Sequence, residues 1–185
     1  MKIGAILILV GLAGLMVGCS SYSVNFDYDQ QADFASYKTF AWMQEPSMVV
    51  GGGQSAERVK TLLDKRVHTA VDAQLEAKGL EMVDPDKAEL FVAYHASVEN
   101  KLSVTDWGYS YPGYWGGWYG GGRDIDVTEY KEGTLIVDLV DAASKQLVWR
   151  GIATGVLATN PTPEQMDKNL NTVVTKMFKD YPPKK

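Results

Sequence analysis

The sequence predicts an α+β fold: a two-layer sandwich in which a mainly antiparallel sheet of about six strands carries two amphipathic helices packed on one face. Three observations predict it. Two stretches repeat apolar residues at helical spacing, several shorter stretches alternate or run apolar over strand lengths, and most links between the latter are of hairpin length. Composition agrees, since 45% hydrophobic and 22% charged residues are those of an ordinary globular domain. A net charge of −5 with no basic patch argues against a nucleic-acid partner. There is no internal repeat, and the low-complexity segment is a run of glycine and aromatic residues from Trp107 to Gly122.

The elements follow in chain order. Lys2, the apolar run from Ile6 to Val17 and the small Gly18 form the pattern of a secretory signal peptide over residues 1–18. That run is shorter than the roughly 20 apolar residues of a membrane-spanning helix. Met16-Val17-Gly18-Cys19 resembles the lipobox of bacterial lipoproteins, with Met16 where leucine is usual. The resemblance implies diacylglycerol on the Cys19 thiol, cleavage after Gly18 and acylation of the freed amine, so that residues 19–21 become an acylated anchor. One acyl chain holds a protein to a membrane only marginally, at about 0.8 kcal/mol per buried CH₂, and two or more make the attachment durable. Because Cys19 is the only cysteine, a disulfide within the chain is excluded; a buried free thiol is the bland alternative. By the same resemblance, Ser20 implies sorting to the outer membrane, where aspartate would imply retention at the inner one.

From Tyr22 to Tyr28 polar residues alternate with Tyr22, Val24, Phe26 and Tyr28, the signature of a half-buried strand. It starts almost at the anchor, so the domain is expected to sit close to the membrane. A second short strand ends in Phe40 and Trp42 on one face, and Glu45 to Gln54, with Pro46 and Gly51 to Gly53, reads as a flexible loop.

The phrase Asp27-Tyr28-Asp29, Ala32-Asp33-Phe34, Tyr37-Lys38-Thr39-Phe40-Ala41-Trp42 resembles the opening of the bacterial lipoprotein family called domain of unknown function 4136. Leu90 to Ala96, Gly133 to Asp141 and Leu147 to Gly151 are similar to its later blocks, so the likeness spans residues 22–181, expected to form a single globular domain. None of these blocks is a catalytic signature. The resemblance implies an address and a fold, and no activity or functional residue.

Ser55 as N-cap, Glu57 near the helix start, and a stripe of Val59, Leu62, Leu63, Val67, Ala70, Val71 and Leu75 predict a long helix ended by Gly79. His68 lies off that stripe and reads as a surface residue. Asp84-Pro85-Asp86 is a turn, and the nearly continuous apolar run Leu90 to Val98 suits a central strand buried on both faces. His95, on the side of Phe91 and Ala93, reads as a hydrogen-bonded core or core-edge histidine. With one other histidine and no spare cysteine, metal ligation there would need carboxylates from elsewhere.

Residues 125–130 alternate as a strand with one polar face, and Gly133 is expected to turn the chain. Thr134 to Asp141 and Leu147 to Val156 form a hairpin. If Asp141 pairs with Leu147, Leu139 faces Trp149 and Asp138 faces Arg150 as a cross-strand ion pair worth about 0.2–1 kcal/mol. A catalytic role for Asp138 is the sharper alternative, without a histidine, serine or second acid at recognisable spacing. Thr162, Pro163 and Gln165 form a capping box, and Met166, Leu170, Val173, Val174, Met177 and Tyr181 line one face of the last helix, stopped by Pro182-Pro183.

The stretch that could carry function is the run 107–122. Trp107, Tyr109, Tyr111, Tyr114, Trp115, Trp118 and Tyr119 offer large contact area with polar handles among flexible glycines. Three partners fit: sugars of peptidoglycan or lipopolysaccharide, the membrane interface beside the acyl anchor, or another envelope protein. A hairpin tip folded back over the sheet edge is the structural alternative. The expectation is a lipid-anchored, non-enzymatic accessory or binding module at the periplasmic face of the outer membrane, without cofactor or metal. The rival class is a hydrolase of envelope polymers working through a carboxylate pair. The sequence lacks a Gly-x-Ser-x-Gly elbow, a His-Glu-x-x-His helix and a phosphate loop, but acid pairs leave no fixed spacing.

Overall fold

In the computed structural model, which describes residues 22–43, 48–50, 56–106 and 125–184, the alternating stretch that opens the domain forms β1 (Tyr22–Tyr28). There follow β2 (Thr39–Trp42), β3 (Met48–Val50), α1 (Ala56–Ala77), β4 (Glu81–Met82), a 3-10 turn at Pro85–Lys87, β5 (Leu90–Asp106), β6 (Ile125–Asp141), β7 (Leu147–Val156) and α2 (Pro163–Met177). The strands form one sheet in the order β1-β7-β6-β5-β2-β4, with β3 also pairing β5. Neighbours from β1 to β5 are antiparallel, whereas β2 runs parallel to β5 and β4, and β3 parallel to β5. The α+β sandwich is as expected, its sheet mixed at one edge.

Side-chain alternation along the strands sorts the sheet into two unlike faces. Phe40, Leu90, Val92, Tyr94, Leu135, Val137, Leu139, Trp149 and Ala153 are buried in one core with Val67, Ala70, Val71 and Leu75 of α1 and Val173, Val174 and Met177 of α2. Each valine, leucine, methionine or phenylalanine side chain so buried contributes about 1.5–3 kcal/mol. At the centre Trp149 stacks on Phe178 at 4.7 Å and meets Tyr181 edge-on at 5.7 Å. The other face carries Phe91, Ala93, His95, Ile136, Arg150, Ile152 and Thr154, all only partly buried, and no described helix covers it.

The helix ends follow their local chemistry. Gly79 takes φ 89°, and the Gly79 and Leu80 amides donate to Glu76 and Leu75, which closes α1 where only glycine turns left-handed without strain. At α2 the Thr162 hydroxyl accepts from the Gln165 amide at 3.3 Å while the Gln165 side chain accepts from the Thr162 amide at 2.9 Å, the capping box read from the sequence. Tyr181 lies beyond the helix yet stays buried against Phe34 and Trp149.

Several expectations are corrected. Gly133 does not turn the chain: β6 passes straight through it, paired with Val98 and Gly155. Its missing side chain instead makes room for Leu157, whose Cδ2 would lie 2.8 Å from an added Cβ. The stretch read as a loop contains β3, because β2 uses only Leu90 to Val92 of the β5 edge and leaves His95 to Ser97 for Met48–Val50. β5 is buried on one face rather than two, with Leu90, Val92 and Tyr94 inside and Phe91, Ala93 and His95 partly open. Leu62 is 55% exposed, rotated off the stripe that Val67, Val71 and Leu75 bury. In the hairpin, Leu139 faces Trp149 and Asp138 faces Arg150 as expected, but a bulge shifts the closing pair to Val140 and Leu147.

Gly151 gives a direct test of the packing between sheet and α2. An added Cβ would stand 2.3 Å from Met177 Cγ and 2.5 Å from Trp149 Cη2, so Gly151→Ala should destabilise the domain by about 1–3 kcal/mol. A urea melt reads this, and an unchanged midpoint would show that Met177 moves aside freely.

Candidate functional site

The long hairpin outgrows the sheet that holds it. β5 and β6 pair without a break from Leu90 with Asp141 to Asp106 with Ile125. β7 leaves β6 at Val156 opposite Glu132, and β3 leaves β5 at Ser97. The Leu157 amide makes a last bond to the Lys131 carbonyl at 2.8 Å. Beyond that row the hairpin is a two-stranded ribbon of about eight residues per strand, reaching roughly 25 Å at about 3.3 Å per residue. Such a ribbon is marginal alone; here Lys101 bridges Glu99 at 2.8 Å and Glu132 at 3.9 Å across its root.

The row Tyr22, Gly155, Gly133, Val98 runs across β1, β7, β6 and β5. The ribbon therefore leaves the sheet at the end where β1 begins. The aromatic run 107–122 joins the outer ends of the ribbon in the chain. Cys19, the signal peptide and the aromatic set from Trp107 to Tyr119 lie outside the described residues.

Two side-chain clusters lie within the described residues. On the uncovered face Asp138, 5% exposed, receives Arg150 Nε at 2.6 Å and Nη2 at 2.7 Å, a bidentate pair that raises the arginine pKa through the hydrogen bonds to Asp138. His95 Nε2 stands 4.0 Å from the same carboxylate. This is the ion pair read from the sequence, made stronger than an exposed pair by the burial of Asp138. Both carboxylate oxygens thus accept from Arg150.

The second cluster was not legible as a unit. Asp64, His68 and Asp72, spaced by four on α1, face β2 and β5: Tyr94 donates to Asp64, Trp42 Nε1 donates to Asp72 at 2.8 Å, and His68 lies flat on Trp42 at 3.7 Å between ring centres. His68 is thus a stacked, half-buried residue rather than a surface one, because Trp42 reaches under α1 at the margin of the core. Burial lowers its pKa below 6.5, against the pull of Asp72 and Asp64. The spacing of four was the signal, invisible without knowing that Trp42 stands opposite. Beside it runs a groove of about 470 Å³ lined by Thr61, Asp64, Lys65, His68, Thr69 and Asp72. Tyr37 likewise donates to Asp141 at 3.0 Å; burial, then Asp141, pushes the phenol up to about 12, while the Ser144 amide and hydroxyl hold Asp141 below the usual carboxylate range. Among the described residues no group of three or more His, Cys, Asp or Glu side chains could hold a metal ion, and no helix is long and apolar enough to cross a membrane.

Residues 24–183 match the family model described as domain of unknown function (DUF4136). Among solved structures, a PDZ domain protein from Parabacteroides distasonis is similar with a TM-score of 0.53 at 14% identity, covering 90% of this chain and 37% of that one. This chain thus spans little more than a third of that protein. A DUF4136 family protein from Bacteroides thetaiotaomicron gives a TM-score of 0.49 at 19% identity, covering 87% and 96%. The PelC dodecamer from Paraburkholderia phytofirmans gives 0.45 at 11%, covering 85% and 95%. No curated protein matches the chain. The first of these likenesses speaks to the fold alone, and the matching family model names no enzymatic activity.

Two expectations follow from the clusters. Arg150→Met leaves Asp138 buried without its partner and should destabilise the domain by about 1–3 kcal/mol, solvent taking up part of the loss because Arg150 is 41% exposed. The double change with Asp138→Leu should recover much of it, and a denaturant double-mutant cycle measures this. For His68 the folded pKa lies below the unfolded value near 6.5, so the unfolded chain takes up its proton first and stability is lost as pH falls through about 6.5. His68→Phe keeps the stack and removes that loss; thermal melts at about pH 7 and about pH 5.5 compare the two, well above the window in which Asp141 titrates.

Proposed function

From the premise that this chain belongs to the DUF4136 family, a domain of unknown function, we propose that it is a lipid-anchored, non-enzymatic binding module at the periplasmic face of the bacterial outer membrane. Cys19 carries the acyl chains, and the aromatic run 107–122 meets the ligand or partner. The observation that supports this most is the shared end of the sheet: β1 begins three residues after Cys19, and the ribbon leading to the aromatic run departs from the same row. Anchor and aromatic run then work at one surface, where glycan, lipid headgroups or an envelope protein can meet Trp and Tyr side chains.

The rival reading, a hydrolase with a carboxylate pair, needs two acids free to act across a cleft. The clustered acids of the described residues are engaged instead: Asp138 by Arg150, Asp64 by Tyr94, Asp72 by Trp42 and Asp141 by Tyr37.

Cys19→Ser should leave an unprocessed precursor without acyl mass, and density fractionation should place the wild type with outer-membrane markers. An unmodified Cys19 by mass spectrometry, or recovery with inner membranes, contradicts the anchor or its sorting respectively. Replacing Tyr111, Tyr114, Trp115, Trp118 and Tyr119 together with Ser should abolish cosedimentation with peptidoglycan or liposomes, or capture of a crosslinked envelope protein, while the melting midpoint stays. A large fall in midpoint with no wild-type binding would assign the rings to padding of the sheet.

A further inference from the structure

We propose that the anchor end of the domain, and the root of the β5–β6 ribbon above all, is a second membrane contact, an apolar seat on the bilayer formed by Val98, Leu102 and Leu157. The proposal rests on the lipid-anchor reading of Cys19 and names the lipid surface as the partner of that end of the molecule.

Exposed apolar side chains gather there. Val98 is 46% exposed, Leu102 67%, Val156 56% and Leu157 40%. Val98 and Leu102 lie four residues apart on one face of β5, and Leu157 packs over Gly133, the residue paired with Val98, so the three form a band at the ribbon root. Leu62 and Met166, near the starts of α1 and α2, add to the same end: α1 passes Tyr94 at Asp64 before Trp42 at Asp72, so it starts on the Val98 side, and α2 runs parallel to it through Arg66 with Asp167 and Gln74 with Thr175. A soluble surface has no need of such a concentration.

The length of chain before β1 decides what covers it. Cys19 stands three residues ahead of Tyr22, a reach of about 10 Å when fully extended. Tyr22 shares a row with Val98, and Leu102 projects four residues past that row, about 13 Å. With Cys19 held in the headgroups, Leu102 is carried to the depth of the anchor. Turning the domain over would lift Tyr22 by the length of β1, about 23 Å for its 7 residues, which the tether cannot span. Charges on the described ribbon lean acidic, with Glu99, Asp106, Asp126, Glu129 and Glu132 against Lys101 and Lys131, so the contact is carried by apolar side chains and not by attraction to anionic headgroups, and salt does not release it.

The acylated full-length protein in phosphatidylethanolamine and phosphatidylglycerol vesicles tests this. With Cys19 acylated, Leu102→Cys or Met82→Cys supplies the sole free thiol for an environment-sensitive fluorophore. Both side chains are exposed, so neither change should disturb the fold. Met82 lies level with Leu90, about 40 Å from Leu102 along the strands. The probe at 102 should shift to the blue and lose emission to spin-labelled lipids, at low and high salt alike, while the probe at 82 does neither. Vesicles that float with the protein while both probes report water would overturn the seat and leave the anchor standing. Shielding at 102 that grows with protein density without lipid quenching would give the band to a second copy and also overturn it. Protein that does not float, with Cys19 taking up the fluorophore, would overturn the anchor and the seat together.

Discussion

One long antiparallel pairing sets the terms for the rest of the molecule. β5 and β6 are each 17 residues long and paired along their whole length. Their inner halves form the middle of the sheet: β7 and then β1 extend it on one side, β2 and β3 divide the β5 edge on the other, and both helices cover one face. Their outer halves pair with no further strand among the described residues. The same ladder is core at one end and ribbon at the other, so the position of its neighbours decides where the body stops.

That asymmetry gives the body a direction. Backbone hydrogen bonds at the inner end are buried under Val92, Leu139 and Trp149, whereas the outer end has exposed side chains, with Lys101 reaching Glu99 on its own strand and Glu132 across the ladder. Local opening should therefore be cheapest in the ribbon and costliest around Trp149. The ribbon can therefore open without loosening the core, while Arg150 and Asp138 tie β6 to β7 on the face that no described helix covers.

Much of this architecture was legible because it is local. The Thr162 to Gln165 capping box, the alternation of Tyr22 to Tyr28, the α1 stripe around Val67 and Val71, and the Asp138 to Arg150 register each depend on residues close in sequence. The misreadings share a cause: a glycine or a short polar segment reports backbone freedom, and tertiary neighbours decide its use. Gly133 has the signature of a turn, but its bare Cα serves Leu157. Met48–Val50 sits among Pro and Gly, yet β5 offers it an open edge. His68 lies off the core stripe, and only Trp42, 26 positions earlier in the chain, explains its stacking. Of the candidate site, the box at Cys19 and the aromatic run 107–122 are read from the sequence alone and lie outside the described residues. That β1 starts and the ribbon leaves at one end of the sheet was not legible, because it depends on four strands sharing one row.

The central claim is that the domain stands on the bilayer by the end where β1 starts and the ribbon leaves. Neutron reflectometry of the acylated protein on a supported bilayer tests it most directly, since the density profile along the normal reports both contact and orientation. The account predicts protein density beginning within the headgroups, from the ribbon and its apolar root, and rising into the sandwich without an intervening layer of water. A hydrated gap between lipid and protein, or a sandwich next to the lipid with the thinner ribbon density outermost, would contradict it.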